Sequence, residues 1–218
     1  MFIGHFGVGF AAKALAPRTS LGSLLLATQF PDLLWPTLIL LGVERVWIEP
    51  GATEVTPLNF EYYPFSHGLV SAIIWGLMVA VVYLVLLRYV RGAIVMGLVV
   101  VSHWFLDLLV HRPDLPLYSG SARFGLGLWS TKSGTLVIEM MIFLVGLGIY
   151  FNNTFPRNDK GDWRLGCLIL VLLGIYIANI FGPPPPSVTA IAWVGQAQWL
   201  LVFWGYWIDR NRVAVRVE

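Results

Sequence analysis

The stretch LGCLILVLLGIYIANIFGPPPPSVTAIAWVGQAQWLLVFWGYWI, residues 165–208, contains no charged residue. It is long enough for two membrane-spanning helices of about 20 residues each. Gly182 and the four prolines at 183–186 interrupt it near the middle, where a helix cannot continue. The stretch therefore predicts a hairpin of two spanning helices joined by a very short loop.

The rest of the chain has the same apolar character. Of its 218 residues, 57% are hydrophobic and only 12% are charged, against about 25% charged residues in soluble domains. Further apolar segments lie at 3–16, 21–42, 66–87, 92–111 and 134–151, and the hairpin supplies 165–182 and 188–208. We expect an all-α, polytopic transmembrane bundle of six to seven helical segments. It forms a single integral membrane domain over 1–218, with the motifs described below in 1–118 and C-terminal helices in 134–208.

Two of these segments are expected to be irregular. Segment 3–16 would be only about 21 Å long as a helix, too short to cross a bilayer upright, so it is either re-entrant or packed inside the bundle. Segment 21–42 contains Pro31, Asp32 and Pro36, and such prolines predict a break or kink.

The distribution of lysine and arginine predicts the orientation of the bundle. One set of connections carries four of these cations, Arg45, Arg112, Arg123 and Lys132. The other set carries ten, namely Lys13, Arg18, Arg88, Arg91, Arg157, Lys160, Arg164, Arg210, Arg212 and Arg216. The positive-inside rule places the ten in the cytoplasm, together with the C-terminus. The net charge of +2 gives no reason to expect binding to nucleic acid.

Each of the four histidines lies in or beside an apolar segment, where ionisable groups usually face the bundle interior or a cavity. His103, Asp107 and His111 follow one another at intervals of four residues, which places all three on one face of a helix. Imidazole and carboxylate groups on one stripe are typical of a metal site. They could equally hydrogen-bond to one another and to neighbouring helices.

The predicted orientation brings further polar residues to the same depth of the membrane. His5, Asp32 and His67 all fall in the outer half, as the first three do, although Asp32 after Pro31 could also serve as a helix N-cap. We therefore predict a site for a divalent metal, zinc by ligand type with manganese as an alternative. Its candidate ligands are His5, Asp32, His67, His103, Asp107 and His111.

The order of these motifs resembles that of a known family, the bacterial membrane-bound metal-dependent hydrolases. Gly4-His5, Pro31-Asp32, Ser66-His67-Gly68 and Ser102-His103 with Asp107 are similar to its Gly-His, Pro-Asp-x-Asp, His-Arg-Gly-x-Thr-His-Ser and Ser-His-x-x-x-Asp motifs. The resemblance covers roughly residues 4–118 and implies an integral protein of the bacterial inner membrane. It implicates His5, Asp32, His67, His103 and Asp107 as the residues of the site.

The chain departs from the family pattern at three positions. Leu34 stands where the second aspartate of Pro-Asp-x-Asp is expected, and Tyr62 and Tyr63 replace a histidine and an arginine. Because tyrosine is a poor zinc ligand, either the ligand set is smaller than in the family or His111 takes part in it.

The resemblance implies a hydrolase, and the outward-facing site suggests a lipid or lipid-linked ester or phosphoester as substrate. Membrane lipids are the expected surroundings, and the sequence names no protein partner. A carboxylate free of metal, Asp32 or Asp114, could act as the catalytic base. The cations of loop 112–133 could meet a phosphate or lipid head group near the site, or they could be ordinary solvated charges.

Three other functions stay open at this point. A non-catalytic subunit or assembly factor would use the polar cluster to tie helices together. A transporter would use Glu139 and the histidines as a path for protons or metal, although Glu139 could instead be a second-shell partner or pair with Lys132 or Arg123. Haem ligation would pair His67 with His103 or His111, because the last two share a helix and cannot be trans ligands of one haem.

Overall fold

A computed structural model describes residues 1–215 and confirms the predicted all-α helix bundle. Its helices are α1 (Ile3–Leu15), α2 (Leu21–Thr28), α3 (Phe30–Leu40), α4 (Pro64–His67), α5 (Leu69–Leu87), α6 (Val90–Val110), α7 (Lys132–Asn153), α8 (Asp159–Phe181), α9 (Val188–Gln196) and α10 (Gln198–Asp209). Four of these helices and the α9–α10 pair are long and apolar enough to cross a membrane, and the bent α2–α3 pair makes a sixth candidate span. The chain is thus built as an integral membrane protein.

The second segment is broken, as predicted. α2 ends at Thr28, and α3 continues from Phe30 at an angle of 55°. Pro31 lies in the first turn of α3, where the missing N–H of proline is tolerated, but it cannot bond to the carbonyl one turn back in α2. The last turn of α2 is therefore a helix C-terminus, and its carbonyl groups can accept hydrogen bonds from donors outside the helix.

Helix α1 is packed inside the bundle, which is one of the alternatives expected for segment 3–16. Most of its side chains are buried, and it lies against α2, α6 and chiefly α7. Gly7 and Gly146 meet where α1 crosses α7, and a methyl group on either residue would collide with the backbone of the other helix. This close approach is the usual role of small residues between helices in a membrane.

Glu139 of α7 holds the start of α1. Its carboxylate accepts hydrogen bonds from the N–H groups of Phe2, at 2.8 Å, and Gly4, at 3.4 Å. The N-terminus of a helix has unpaired N–H groups and a partial positive charge, so a buried carboxylate is favourable there. Glu139 therefore caps a helix and makes no ion pair with Lys132 or Arg123.

The two ends of the bundle hold different connections. In the described part of the chain, six short strands form three antiparallel ribbons: β1 (Arg45–Ile48) with β2 (Leu58–Tyr62), β3 (Leu115–Pro116) with β4 (Arg123–Phe124), and β5 (Thr154–Pro156) with β6 (Arg212–Ala214). At one end, Lys13 pairs with Asp209 at 3.5 Å. At the other, Arg123 bonds to the carbonyl of Glu61 at 2.6 Å. Arg216, one of the ten cations in the orientation argument, lies outside the described residues.

The hairpin of residues 165–208 opens at the proline loop. α8 ends at Phe181 and α9 begins at Val188, and a further break follows at Ala197. α9 packs on α3, whereas α10 packs on α2 and α8. Because α9 leans away from α8, a wedge of space stays between these two helices near the loop.

A methyl group at Gly146 tests the packing of α1. We expect Gly146→Ala to lower the free energy of unfolding by about 1–3 kcal/mol, since overpacking forces the two helix backbones apart. Gly148→Ala is the matched control on the same helix, because a Cβ there has no neighbour within 4 Å. Denaturant unfolding in detergent micelles measures both variants, and equal loss of stability would contradict the close approach.

Candidate metal centre

Four side chains from three helices lie close together inside the bundle. Asp32 comes from α3, His67 from α4, and His103 and Asp107 from α6. His103 Nε2 lies 3.2 Å from Asp107 Oδ2 and 3.8 Å from Asp32 Oδ1. His67 Nε2 lies 3.3 Å from Asp32 Oδ1 and 3.7 Å from Asp107 Oδ2. We call these four residues the ligand ring.

The spacing of the ligand ring suits a small divalent ion. Tetrahedral coordination with bonds of about 2.0 Å separates neighbouring ligand atoms by roughly 3.3 Å. The four nitrogen–oxygen distances of the ring, from 3.2 to 3.8 Å, lie close to that value. Two imidazoles and two carboxylates are also a donor set that zinc and manganese accept.

A hydrogen bond to the end of α2 fixes which ring nitrogen of His103 carries the proton. Its Nδ1 lies 2.8 Å from the carbonyl oxygen of Thr28, the last residue of α2, and a carbonyl can only accept. Nδ1 therefore carries the proton, and Nε2 points at the two carboxylates without a hydrogen-bond partner of its own. A lone pair in that position needs a proton or a metal ion between it and the carboxylates.

Ser66 and Glu44 fix the protonated nitrogen of His67 in the same way. The hydroxyl of Ser66 donates to Glu44 Oε2 at 2.6 Å and lies 2.7 Å from His67 Nδ1. Because the hydroxyl proton goes to Glu44, Nδ1 of His67 donates and Nε2 is again left for the ring. Ligating histidines in metal proteins commonly donate their second N–H to such a partner.

Glu44 is held where it can perform this role. Its Oε1 accepts from the N–H groups of Phe65 and Ser66 at 2.8 and 2.9 Å, so it caps α4. Burial raises the pKa of Glu44, and the hydrogen bonds from Ser66 and Phe65 oppose that rise. Glu44 thus links the loop after α3 to the helix that carries His67.

His5 lies beside the ligand ring. Its ring stacks on that of His103 with centroids 3.7 Å apart and planes 5° from parallel. Its Nε2 lies 3.0 Å from Asp107 Oδ1, while its Nδ1 is buried without a partner. Two stacked imidazolium ions would repel each other, so this contact disfavours a proton on both nitrogens of both rings.

A positive group already faces one carboxylate of the ring. The amino group of Met1 lies 2.6 Å from Asp107 Oδ1, the oxygen that His5 also contacts. Asp107 Oδ2, the oxygen of the ring, faces only the two imidazoles. The two oxygens of Asp107 therefore serve different partners.

His111 and Asp114 form a separate cluster. α6 ends at Val110, so His111 caps the helix and leaves the stripe of His103 and Asp107. Its Nδ1 lies 2.8 Å from Asp114 Oδ1, which also accepts from the hydroxyl of Tyr63 at 3.1 Å. Burial lowers the pKa of His111, and the hydrogen bond to Asp114 only partly offsets this. Tyr63 lies between this cluster and His67, with ring centroids 5.4 Å from the latter.

The structure brings five of the six predicted ligands together. Their ligand atoms form two overlapping groups, each within 4.8 Å, which are His5, His103 and Asp107, and Asp32, His67 and His103. His111 lies outside both groups. The sequence reasoning missed Thr28, Glu44 and Ser66, which orient the imidazoles. Only Ser66, as the neighbour of His67, could have been suspected from the sequence.

A cavity of about 510 Å³ opens beside the ring, in the wedge between α8 and α9. Asp32 is the ring residue that reaches it, and its side chain is 21% exposed while those of the other three are nearly closed off. Tyr176, Ile191 and the prolines at 183–186 belong to its mainly apolar wall. A small molecule could thus approach the ring from the cavity.

Comparisons of the chain with protein-family models, with curated proteins and with solved structures find no match. The class of the protein therefore rests on its fold and its site. It is a helical membrane protein with a buried histidine–aspartate cluster that could hold a metal ion.

Removing the hydroxyl of Ser66 tests the orientation of His67. We expect Ser66→Ala to weaken zinc binding about 10- to 100-fold, the usual cost of losing an outer partner of a ligating histidine. Ser71→Ala is the matched control, because Ser71 also donates a hydrogen bond, partly buried, to the Pro64 carbonyl and makes none to His67. Competition with a fluorescent zinc chelator measures both affinities, and an unchanged affinity in Ser66→Ala would argue against the chain from Glu44.

Proposed function

We propose that the protein is a membrane-embedded metal-dependent hydrolase that cleaves an ester or phosphoester bond of a lipid or lipid-linked substrate. The observation that carries the proposal is the way in which the two ring histidines are oriented and protonated. Both are held by their Nδ1–H groups, and both direct Nε2 at two carboxylates. The motif order that resembles the membrane-bound metal-dependent hydrolases supports the same class.

The geometry favours one ion in each chain. The two groups of candidate ligands share His103, whose Nδ1 is used by Thr28, so this imidazole has one nitrogen to offer. We assign the ion to the ligand ring and give His5 the task of holding Asp107 through Oδ1. Zinc fits the donor set best, and manganese is the alternative.

A bound divalent ion supplies a Lewis acid that polarises an acyl or phosphoryl oxygen and makes water more acidic. Asp32 is the proposed base, since its carboxylate faces both the ring and the cavity. In that role it would not ligate the ion, which His67, His103 and Asp107 would hold while the fourth position stays open to water. The water oxygen forms a bond to carbon or phosphorus as its proton passes to Asp32, and the leaving oxygen departs with that proton. We do not assign the role of base to Asp114, because His111 and Tyr63 already form hydrogen bonds to its carboxylate.

We place the protein in a bacterial inner membrane with the site toward the outer face and the C-terminus in the cytoplasm. The support for this orientation is the sequence count of four cations in one set of connections against ten in the other, together with the positive-inside rule. The ligand ring lies toward the end that carries fewer cations, where α6 meets His111 and the loops that follow. A substrate in the outer leaflet would reach the cavity from the side.

One observation favours a second candidate function, that of a non-catalytic subunit. The Met1 amino group and His5 both contact Asp107, and Glu139 binds the first turn of α1. These contacts fasten α1 to α6 and α7 without any metal. In that case the cluster is a polar tie between helices.

Replacing His103 distinguishes the two functions. We expect His103→Ala to lose the bound metal and the hydrolysis of phospho- and acyl-lipids, because it removes a ring ligand. His111→Ala is the matched control, since His111 is equally buried but lies outside the ring. Elemental mass spectrometry of detergent-purified protein gives the metal content, and thermal unfolding shows that each variant is folded.

Metal at full occupancy in His103→Ala would contradict the assigned site. A folded wild-type protein that never takes up zinc or manganese would favour the non-catalytic subunit instead.

A further inference from the structure

The cavity beside the ligand ring has a mainly apolar wall. Its wall along α8 and α9 includes Tyr176, Ile180, Ile191 and Val194, and the proline loop closes one side. Val194 and the neighbouring Trp193 are more than 60% exposed on the outer surface of the bundle, where lipid would surround them. A chain from the bilayer can therefore enter between α8 and α9 without leaving an apolar environment.

One cation of the cavity wall is free to bind an anion. Lys132 lines the cavity, and its Nζ lies 5.7 Å from the ring centre of Phe181. Within residues 1–215 no carboxylate lies within 4.0 Å of this ammonium group. The other cations of loop 112–133 are engaged, since Arg112 pairs with Asp114 and Arg123 bonds to backbone carbonyls.

Three acidic residues belong to the same wall, and each has a partner. Asp32 faces His67 in the ligand ring. Glu54 accepts from the N–H of Lys132 at 3.0 Å, and Glu139 accepts from the start of α1. Both carboxylates thus face helix N-termini, which partly neutralise them. Lys132 is thus a cation of the wall whose ammonium group has no carboxylate within 4.0 Å among residues 1–215.

We infer that the cavity binds a phosphate-bearing lipid of the surrounding membrane, with its phosphate between the ligand ring and Lys132 and its chain in the wedge between α8 and α9. The inference rests on the proposed function for the ion at the ring, and it narrows the substrate class from lipid esters in general to lipid phosphates. A lipid without phosphate would fill the apolar wedge but would leave Lys132 without a counter-ion.

Binding of short-chain lipids tests the inference without any turnover. Detergent-purified protein is titrated with dioctanoyl phosphatidic acid, with dioctanoylglycerol, which has the same chains but no phosphate, and with inorganic phosphate. We expect phosphatidic acid to bind about tenfold or more tightly than either of the others, the effect of one charge-assisted hydrogen bond. Calorimetry on zinc-loaded and on chelator-treated protein gives the affinities.

Two variants locate the bound lipid. Lys132→Met keeps the aliphatic stem and removes the charge, so it should weaken phosphatidic acid about tenfold and leave dioctanoylglycerol unchanged. Lys160→Met, at the opposite end of α8, is the matched control and should change neither affinity. Ala190→Trp fills part of the cavity and should weaken both lipids.

Equal affinity for the two lipids, or an unchanged affinity for phosphatidic acid in Lys132→Met, would overturn the inference. Phosphate that binds as tightly as phosphatidic acid would overturn the role of the chain. If metal and hydrolysis are found without a preference for phosphate, only this inference fails. If phosphatidic acid binds through Lys132 to a protein that takes up no metal, only the proposed function fails.

Discussion

Two carboxylates inside the bundle, Asp32 and Asp107, must be compensated by the groups that the surrounding helices bring to them. A buried carboxylate costs several kcal/mol unless opposite charge or hydrogen bonds compensate it. The break between α2 and α3 brings Asp32 to this point and turns the carbonyl of Thr28 toward His103. The packed helix α1 brings His5 and the Met1 amino group to Asp107. Both irregular parts of the fold, the short helix α1 and the broken α2–α3 pair, thus meet at these two carboxylates.

Four other acids, of which Glu44 and Glu139 are buried, share a different use. Each accepts hydrogen bonds from the first N–H groups of a helix: Glu139 for α1, Asp209 for α2, Glu44 for α4 and the more exposed Glu54 for α7. Unpaired N–H groups are expensive in a membrane, where no water replaces the missing acceptor. Asp32 and Asp107 take no part in this capping and face the Nε2 atoms of His67 and His103, which have no other role. Asp114 also faces an imidazole, but His111 and Tyr63 bind it away from the ring. This difference is the physical reason for assigning the first two carboxylates to a metal.

Patterns along one helix could be predicted from the sequence, and contacts between distant segments could not. Hydropathy predicted the spans and the helical fold, proline predicted the break near Asp32, and the spacing of four predicted that His103 and Asp107 share a face. His111 does not share this face, because α6 ends at Val110 and His111, the cap residue that follows, has extended backbone. Glu44 looked like one acid among several in an outer loop, and its bond to Ser66 joins residues 22 apart in sequence. No local pattern encodes such a contact, and the same holds for Glu139 and the start of α1.

The most direct test of the account is X-ray absorption spectroscopy of the purified protein after loading with zinc. The ligand ring predicts one ion for each chain, with two imidazole nitrogens and carboxylate oxygens at about 2.0–2.1 Å. Three imidazoles would show that His5 is a ligand and does not merely hold Asp107. A folded protein that retains no ion, or one whose ion has no imidazole ligand, would contradict the central claim that His67 and His103 form a metal site with Asp32 and Asp107.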